Sequence, residues 1–122
     1  DAMLRAGRRV AIAAVADSSI DRLFRGRELD SYAEPYDPEV LARVHELLAA
    51  DGHDLIVAYQ QEYDDCVHAM DPLCPDAVSA ARRHVAVFAD LAGTAARRWA
   101  GRRISVRSAC SRLLNRCCRY WR

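Results

Sequence analysis

The sequence predicts an α/β domain: a partial three-layer α/β/α sandwich on a short, mostly parallel sheet, with an irregular Arg-rich tail after it. Three observations lead to this prediction. Two short apolar runs, residues 10–16 and 55–59, have the continuous hydrophobicity of strands buried in a parallel sheet. A stretch with helical periodicity separates them, as in a βαβ unit. A longer stretch with helical periodicity fills residues 75–99.

The first third of the chain is expected to contain helix, strand and helix. Residues 1–6 have the composition of a helix end, and Gly7 is placed to terminate it. After the first strand, residues 17–19 carry side chains that cap a short helix ending at Phe24. Residues 28–37 are rich in acids and Tyr, and we interpret them as a loop.

The helix between the two strands has a clear start. Asp37 supplies a capping carboxylate, Pro38 occupies the first helical position, and Glu39 places an acid in the first turn. One apolar stripe follows, formed by Val40, Leu41, Val44, Leu47 and Leu48. Asp51 and Gly52 are expected to end this helix before the second strand.

The longest predicted helix starts at Pro75 and ends near Trp99. Its buried stripe is predicted to include Val78, Ala81, Val85, Phe88, Leu91 or Ala92, Ala95 and Trp99. A short third strand is expected at residues 104–106. We assign residues 1–100 to the α/β domain and residues 101–122 to a basic tail.

Charge is strongly segregated along the chain. All 18 basic residues are Arg, and residues 97–122 hold nine of them with no acid, while residues 1–96 hold all 17 acids. This pattern indicates a tail that binds nucleic acid or another acidic partner, or two segments of different origin. Trp99, Tyr120 and Trp121 would stack on bases. The alternative is a solvated basic tail.

The Cys content, the length of the apolar runs and the first residue of the chain lead to three further expectations. Five Cys without a CxxC motif favour a reduced, cytoplasmic protein. No run of 18 apolar residues occurs, so no membrane span is expected. The first residue is Asp1, inside a predicted helix, so we expect an internal piece of a longer protein. A reading-frame change or degraded gene end near residue 100 would explain the altered composition beyond it.

The chemistry-bearing residues follow the second strand. Asp64 and His68 are four residues apart, so on a helix both side chains lie on one face. A carboxylate oxygen and an imidazole nitrogen that converge suit Zn or Mn. Nearby carboxylates that offer alternatives are Glu62, Asp65 and Asp71. The competing interpretation is a solvated acidic loop whose His caps or packs.

Two stretches give the chain a resemblance to a known family. Residues 7–27 contain Gly-Arg-Arg-Val followed by Asp-Arg-Leu-Phe-Arg-Gly-Arg, and residues 54–72 contain Asp-Leu-Ile-Val followed by Asp-x-x-x-His-x-x-x-Pro. Together they resemble the alkaline phosphatase superfamily of metalloenzymes, in particular phosphopentomutase, cofactor-independent phosphoglycerate mutase and the type I phosphodiesterases. The similarity spans roughly residues 5–99.

The resemblance implies a site with two divalent metals, Zn or Mn, in which Asp64 and His68 bind one metal. It implies phosphorylated or sulfated small molecules as substrates, among them phosphodiesters and phosphonates. Val67 departs from the family's Gly, and His84 stands where the helix often carries an acid. The family's nucleophile and its Asp-His-Gly motif have no counterpart here. We therefore expect this chain to bind metal poorly and to be inactive alone.

Three further alternatives involve the same region. His84 lies near an apolar stripe, so we interpret it as a hydrogen-bonded core histidine in preference to a ligand. A structural zinc site would instead combine Cys66, Cys74, His68 and His84, although the spacing fits no common zinc module. The open edges of a short sheet would also favour self-association.

Overall fold

A computed structural model describes residues 2–98, apart from the Arg98 side chain. The elements are α1 (Ala2–Arg5), β1 (Val10–Val15), α2 (Ser19–Phe24), β2 (Asp30–Glu34), α3 (Asp37–Ala50), β3 (Leu55–Tyr59), α4 (Glu62–Ala69) and α5 (Pro75–Arg98). The three strands form one parallel sheet in the order β2-β1-β3. The predicted mixed α/β class with its short parallel sheet and long helix is confirmed.

The chain divides into a unit of residues 1–85, which holds the sheet, and a unit of residues 86–122. The described part of the second unit is the end of α5, where the Arg97 guanidinium donates to the Thr94 hydroxyl at 3.2 Å. The strand predicted at 104–106 and the tail at 101–122 lie outside the described residues. The predicted boundary at residue 100 therefore stays a prediction.

Strand β1 is the centre of the sheet, as its uninterrupted apolar sequence predicts. Its residues from Val10 to Ala14 are each at most 8% exposed. β1 pairs with β2 on one side and β3 on the other. Three of its six residues are Ala, so helices can pack closely on either face. The hydrophobic effect therefore holds this strand inside the molecule.

Strand β2 was missed by the sequence analysis, which treated residues 28–37 as a loop. Asp30, Ser31 and Glu34 make this strand polar, and Ser31 and Ala33 are exposed. Parallel pairing with β1 from Ala11 to Val15 supplies its backbone hydrogen bonds. An edge strand that buries little apolar surface carries no hydrophobic pattern, which is why the prediction was wrong.

Strand β3 is present as predicted but is less buried than a core strand. Within the described residues it pairs only with β1, so it is an edge of this three-stranded sheet. Leu55 is 39% exposed and Ala58 is also exposed. The expectation that residues 55–59 form a buried, central strand is therefore wrong for the described part of the chain.

The strand order places a topological switch point between β1 and β3. The chain leaves β1 for β2 on one side and then returns past β1 to β3 on the other. With the usual right-handed crossovers, α2 and α3 lie on opposite faces, which agrees with the burial of β1. Tyr59, the last residue of β3, lies beside this point, and burial raises the pKa of its hydroxyl. Ligands of open α/β sheets bind at such points.

The predicted helix ends agree closely with the structure. Gly7 adopts φ +70°, a left-handed conformation that costs glycine little, directly after α1. Asp51, not Gly52, takes the left-handed position that ends α3. In the predicted α3 stripe, Val40, Val44 and Leu47 are buried, whereas Leu41 and Leu48 are half-buried. None of the helices within residues 2–98 is long and apolar enough to cross a membrane.

Helix α5 begins at Pro75 as predicted, and the predicted Ala95 is buried, but in the first half of the helix the buried face is rotated from the expected stripe. Ala77 and Ala80 are fully buried, whereas Val85 is 58% exposed. His84 lies on the same face as the two alanines, four residues after Ala80. The small residues and the histidine therefore face inward where the prediction placed larger apolar side chains.

Candidate metal-ligand pair at the carboxyl end of the sheet

The structure brings Asp64 and His68 together on α4, which starts three residues after β3 ends. Asp64 Oδ1 and His68 Nε2 are 3.5 Å apart, and the side chains are 57% and 78% exposed. This separation exceeds the 2.7–3.2 Å typical of a direct N–H···O bond. Two atoms bound to one tetrahedral Zn²⁺ lie about 3.4 Å apart, given bonds of about 2.1 Å. The separation is that of an exposed ion pair, and it would also allow both atoms to contact one cation.

The other nearby carboxylates have protein partners. Asp65 Oδ1 accepts from the Gln61 side-chain amide at 3.0 Å, and Asp71 Oδ1 accepts from the backbone amide of Leu73 at 2.7 Å. Glu62 forms a two-bond ion pair with the Arg83 guanidinium, one bond being Nε to Oε2 at 3.1 Å. Asp64 is therefore the carboxylate of this segment best placed to share a cation with His68.

Asp37 is the residue of this region whose role sequence reasoning misassigned. It was predicted to cap α3, but the α3 amides of Glu39 and Val40 bond to the Tyr36 carbonyl. The Asp37 carboxylate instead accepts from the backbone amides of Gln61 at 2.8 Å and Glu62 at 3.1 Å. Asp37 thus caps α4, a helix 25 residues further along the chain.

His84 completes a partly buried polar cluster around Asp37. Its Nε2 lies 3.1 Å from Asp37 Oδ2, and its ring meets Tyr63 edge-on at 6.4 Å between centroids. The interpretation of His84 as a hydrogen-bonded core histidine agrees with this contact. Asp37, Glu62 and His84 are the one set of three or more Asp, Glu, His or Cys in residues 2–98 whose ligand atoms lie within 4.8 Å.

The atoms of this cluster are already satisfied by protein partners. Both oxygens of Asp37 accept hydrogen bonds, and Glu62 is held by Arg83, whose pKa it raises through its hydrogen bonds. A metal there would have to displace Arg83 from Glu62. The cluster is therefore best described as a hydrogen-bonded junction between α3, α4 and α5, and Asp64 with His68 has no third described ligand of these types nearby.

The alternative zinc site of Cys66, Cys74, His68 and His84 is not assembled among the described residues. Cys74 Sγ accepts from the Ala77 amide at 3.3 Å and so caps the start of α5. Burial raises the pKa of the Cys66 thiol, which opposes the thiolate form that a metal needs. Both residues are free thiols.

The turn after β1 forms a second polar cluster. Ser18 caps α2 as predicted, accepting from the Asp21 amide at 3.1 Å. The buried Asp21 carboxylate accepts from the Asp17 amide at 2.8 Å and from the Arg25 guanidinium. The Arg25 hydrogen bond lowers the pKa of Asp21. Ser18 and Asp21 have structural partners and show no nucleophile arrangement.

The distance along the chain between two residues decides whether the sequence indicates that they meet. Asp64 and His68 share one helix, so their spacing alone indicates that they converge. Asp37 and His84 are separated by 47 residues, and no local pattern connects them.

Comparisons of the chain with protein-family models, curated proteins and solved structures found no match.

Proposed function

We propose that the α/β unit is part of a metal-dependent hydrolase or mutase acting on phosphate esters or related phosphodiesters, phosphonates or sulfates. Asp64 and His68 would be two ligands of one divalent cation, Zn²⁺ or Mn²⁺. The observation that carries the proposal is the 3.5 Å separation of their exposed ligand atoms beyond the carboxyl end of β3. The sequence resemblance to the alkaline phosphatase superfamily supports the same assignment.

The chain's own residues would perform only part of this chemistry. Asp64 would supply a carboxylate oxygen and His68 an imidazole nitrogen, ligand types that both Zn²⁺ and Mn²⁺ accept. A bound divalent cation supplies charge that stabilises the transferring phosphoryl group. Two ligands leave the coordination incomplete. Turnover would therefore require a complete homologue, and this chain alone would bind a cation only weakly.

Asp64→Asn is expected to weaken Zn²⁺ binding by the full chain about tenfold or more, because the neutral amide is a poor ligand. Isothermal titration calorimetry at fixed pH measures the affinity. Asp65→Asn is the matched control, since Asp65 is the adjacent exposed acid but bonds to Gln61. We expect it to change affinity less than threefold. Native-like Zn²⁺ binding by Asp64→Asn would refute the assignment.

A second candidate function is binding of nucleic acid, supported by nine Arg and no acid in residues 97–122. If about four of these Arg neutralise phosphates, affinity for a DNA duplex should fall about 100-fold between 50 and 200 mM salt. Deleting residues 100–122 should remove both the binding and its salt dependence. Fluorescence anisotropy with labelled duplex measures this, and a shallow dependence that survives the deletion would exclude the tail as the binding element.

A further inference from the structure

We propose that Asp37 is a positioning residue that keeps Asp64 and His68 together by holding the first turn of α4. The inference rests on the proposed function, since the pair needs fixed geometry in order to share a cation. The hydrogen bonds of the Asp37 carboxylate go to Gln61, Glu62 and His84, and none goes to Asp64 or His68. Asp37 acts through the backbone amides of Gln61 and Glu62, from which its carboxylate accepts hydrogen bonds at 2.8 and 3.1 Å.

Helix α4 depends on contacts outside itself. It has eight residues and none of them is fully buried, although Tyr63, Cys66 and Val67 are half-buried. Helices of this length are unstable in isolation. Gln61, its N-cap residue, makes no side-chain capping bond. The Asp37 carboxylate supplies the missing cap, and its negative charge is favourable at a helix N-terminus.

The two ligands lie at opposite ends of this short helix. Asp64 is in the first turn, and His68 is in the last. Fraying of the first turn would carry Asp64 away from His68, because their 3.5 Å approach requires helical backbone between them. The cap on Gln61 and Glu62 therefore controls the separation of the ligand atoms.

Asp37 can hold α4 because it is itself fixed. It is the first residue of α3, whose Val40, Val44 and Leu47 are buried, and it is only 7% exposed. His84 Nε2 on α5 lies 3.1 Å from Asp37 Oδ2, the oxygen that also accepts the hydrogen bond from the Glu62 amide. The carboxylate thus connects the buried face of α3 to a helix none of whose residues is fully buried.

The test compares native chain, Asp37→Asn and Asp54→Asn by two measurements on the full chain. Amide hydrogen exchange of metal-free protein reports the helix, and Zn²⁺ titration reports the pair. Asp54 is the matched control: its carboxylate also accepts a backbone amide, that of Arg9 at 2.9 Å, but at the opposite end of β3. Asp37→Asn keeps the size of the side chain and removes its charge.

We expect Asp37→Asn to speed exchange of the Asp65 and Cys66 amides about tenfold relative to β1, because Asn keeps one acceptor oxygen and turns its NH2 group toward the second backbone donor. Zn²⁺ affinity should fall by a similar factor. Asp54→Asn should leave both quantities within threefold of native. If Asp37→Asn does not fold, His84→Leu removes one polar partner and should give about threefold effects, which His84→Gln should reverse.

The outcomes separate the two proposals. Native α4 exchange in Asp37→Asn, or equal effects of Asp37→Asn and Asp54→Asn, would overturn the role of Asp37. Failure of the native chain to bind Zn²⁺, or native binding by Asp64→Asn, would overturn the proposed function instead. If either of these Zn²⁺ results is obtained, amide hydrogen exchange alone tests the role of Asp37. Selective acceleration in α4 supports that role, and unchanged exchange contradicts it.

Discussion

Replacing Asp37 with Ala is expected to lower the free energy of unfolding by about 3 kcal/mol. The substitution removes the acceptor for two backbone amides and the partner of His84, and all three contacts are at least partly buried. Each lost bond of this kind costs about 1 kcal/mol, and a buried donor left without a partner costs more. Equilibrium urea unfolding followed by circular dichroism measures the change.

Asp54→Ala is the control for this prediction. Asp54 accepts from the Arg9 amide at 2.9 Å and pairs with Arg8 at 3.2 Å, but its side chain is 39% exposed. Water can replace these contacts, so we expect a loss of about 1 kcal/mol or less. A loss at Asp37 no larger than that at Asp54 would show that the α3–α4–α5 junction contributes little to stability.

Asp21→Asn is expected to destabilise the fold by about 2 kcal/mol at neutral pH, because the Arg25 guanidinium and the Asp17 amide both lose a charged acceptor. Arg25 lowers the pKa of Asp21 in the folded chain. A carboxyl with a lowered folded pKa stabilises above its unfolded pKa, and this contribution disappears as pH falls through the folded value. The native chain should therefore lose this stability in acid, below about pH 4.

Urea unfolding at neutral and acidic pH checks both parts of this prediction. The difference in unfolding free energy between native chain and Asp21→Asn should shrink as the pH is lowered. Asp17→Asn is the control, because Asp17 contacts the same Arg25 but is 69% exposed, and Asn tolerates its φ of 59°. We expect a change below about 0.5 kcal/mol there. A pH-independent difference at Asp21 would contradict the prediction.

The elements that bury apolar surface could be predicted from the sequence. β1 and α3 present their hydrophobic residues at strand or helix spacing, and Gly7, Pro38 and Pro75 mark helix ends through their backbone preferences. The polar edge strand β2 could not be predicted, because its stability comes from pairing with β1. The buried face of α5 could not be predicted either, because Ala77, Ala80 and His84 face inward there and do not form an apolar stripe of large side chains.

The candidate site divides in the same way. The approach of Asp64 to His68 follows from local helix geometry and was predicted. The carboxylate that caps α4 was assigned to the wrong helix, because Asp37 next to Pro38 has the typical pattern of a local cap. A side chain that bonds to a distant backbone amide leaves no periodic trace in the sequence. Only the folded arrangement of β2, α3 and β3 brings the Asp37 carboxylate to the first backbone amides of α4.

Titration of the full chain with Mn²⁺, followed by NMR, tests the central claim most directly, because a bound paramagnetic ion broadens the resonances of the nearest nuclei. We predict that the signals of Asp64 and His68 broaden first, at the lowest Mn²⁺ concentrations. Broadening that begins at Asp37, Glu62 and His84, or that spreads over all exposed carboxylates without preference, would contradict the assignment of Asp64 and His68 as a metal-ligand pair.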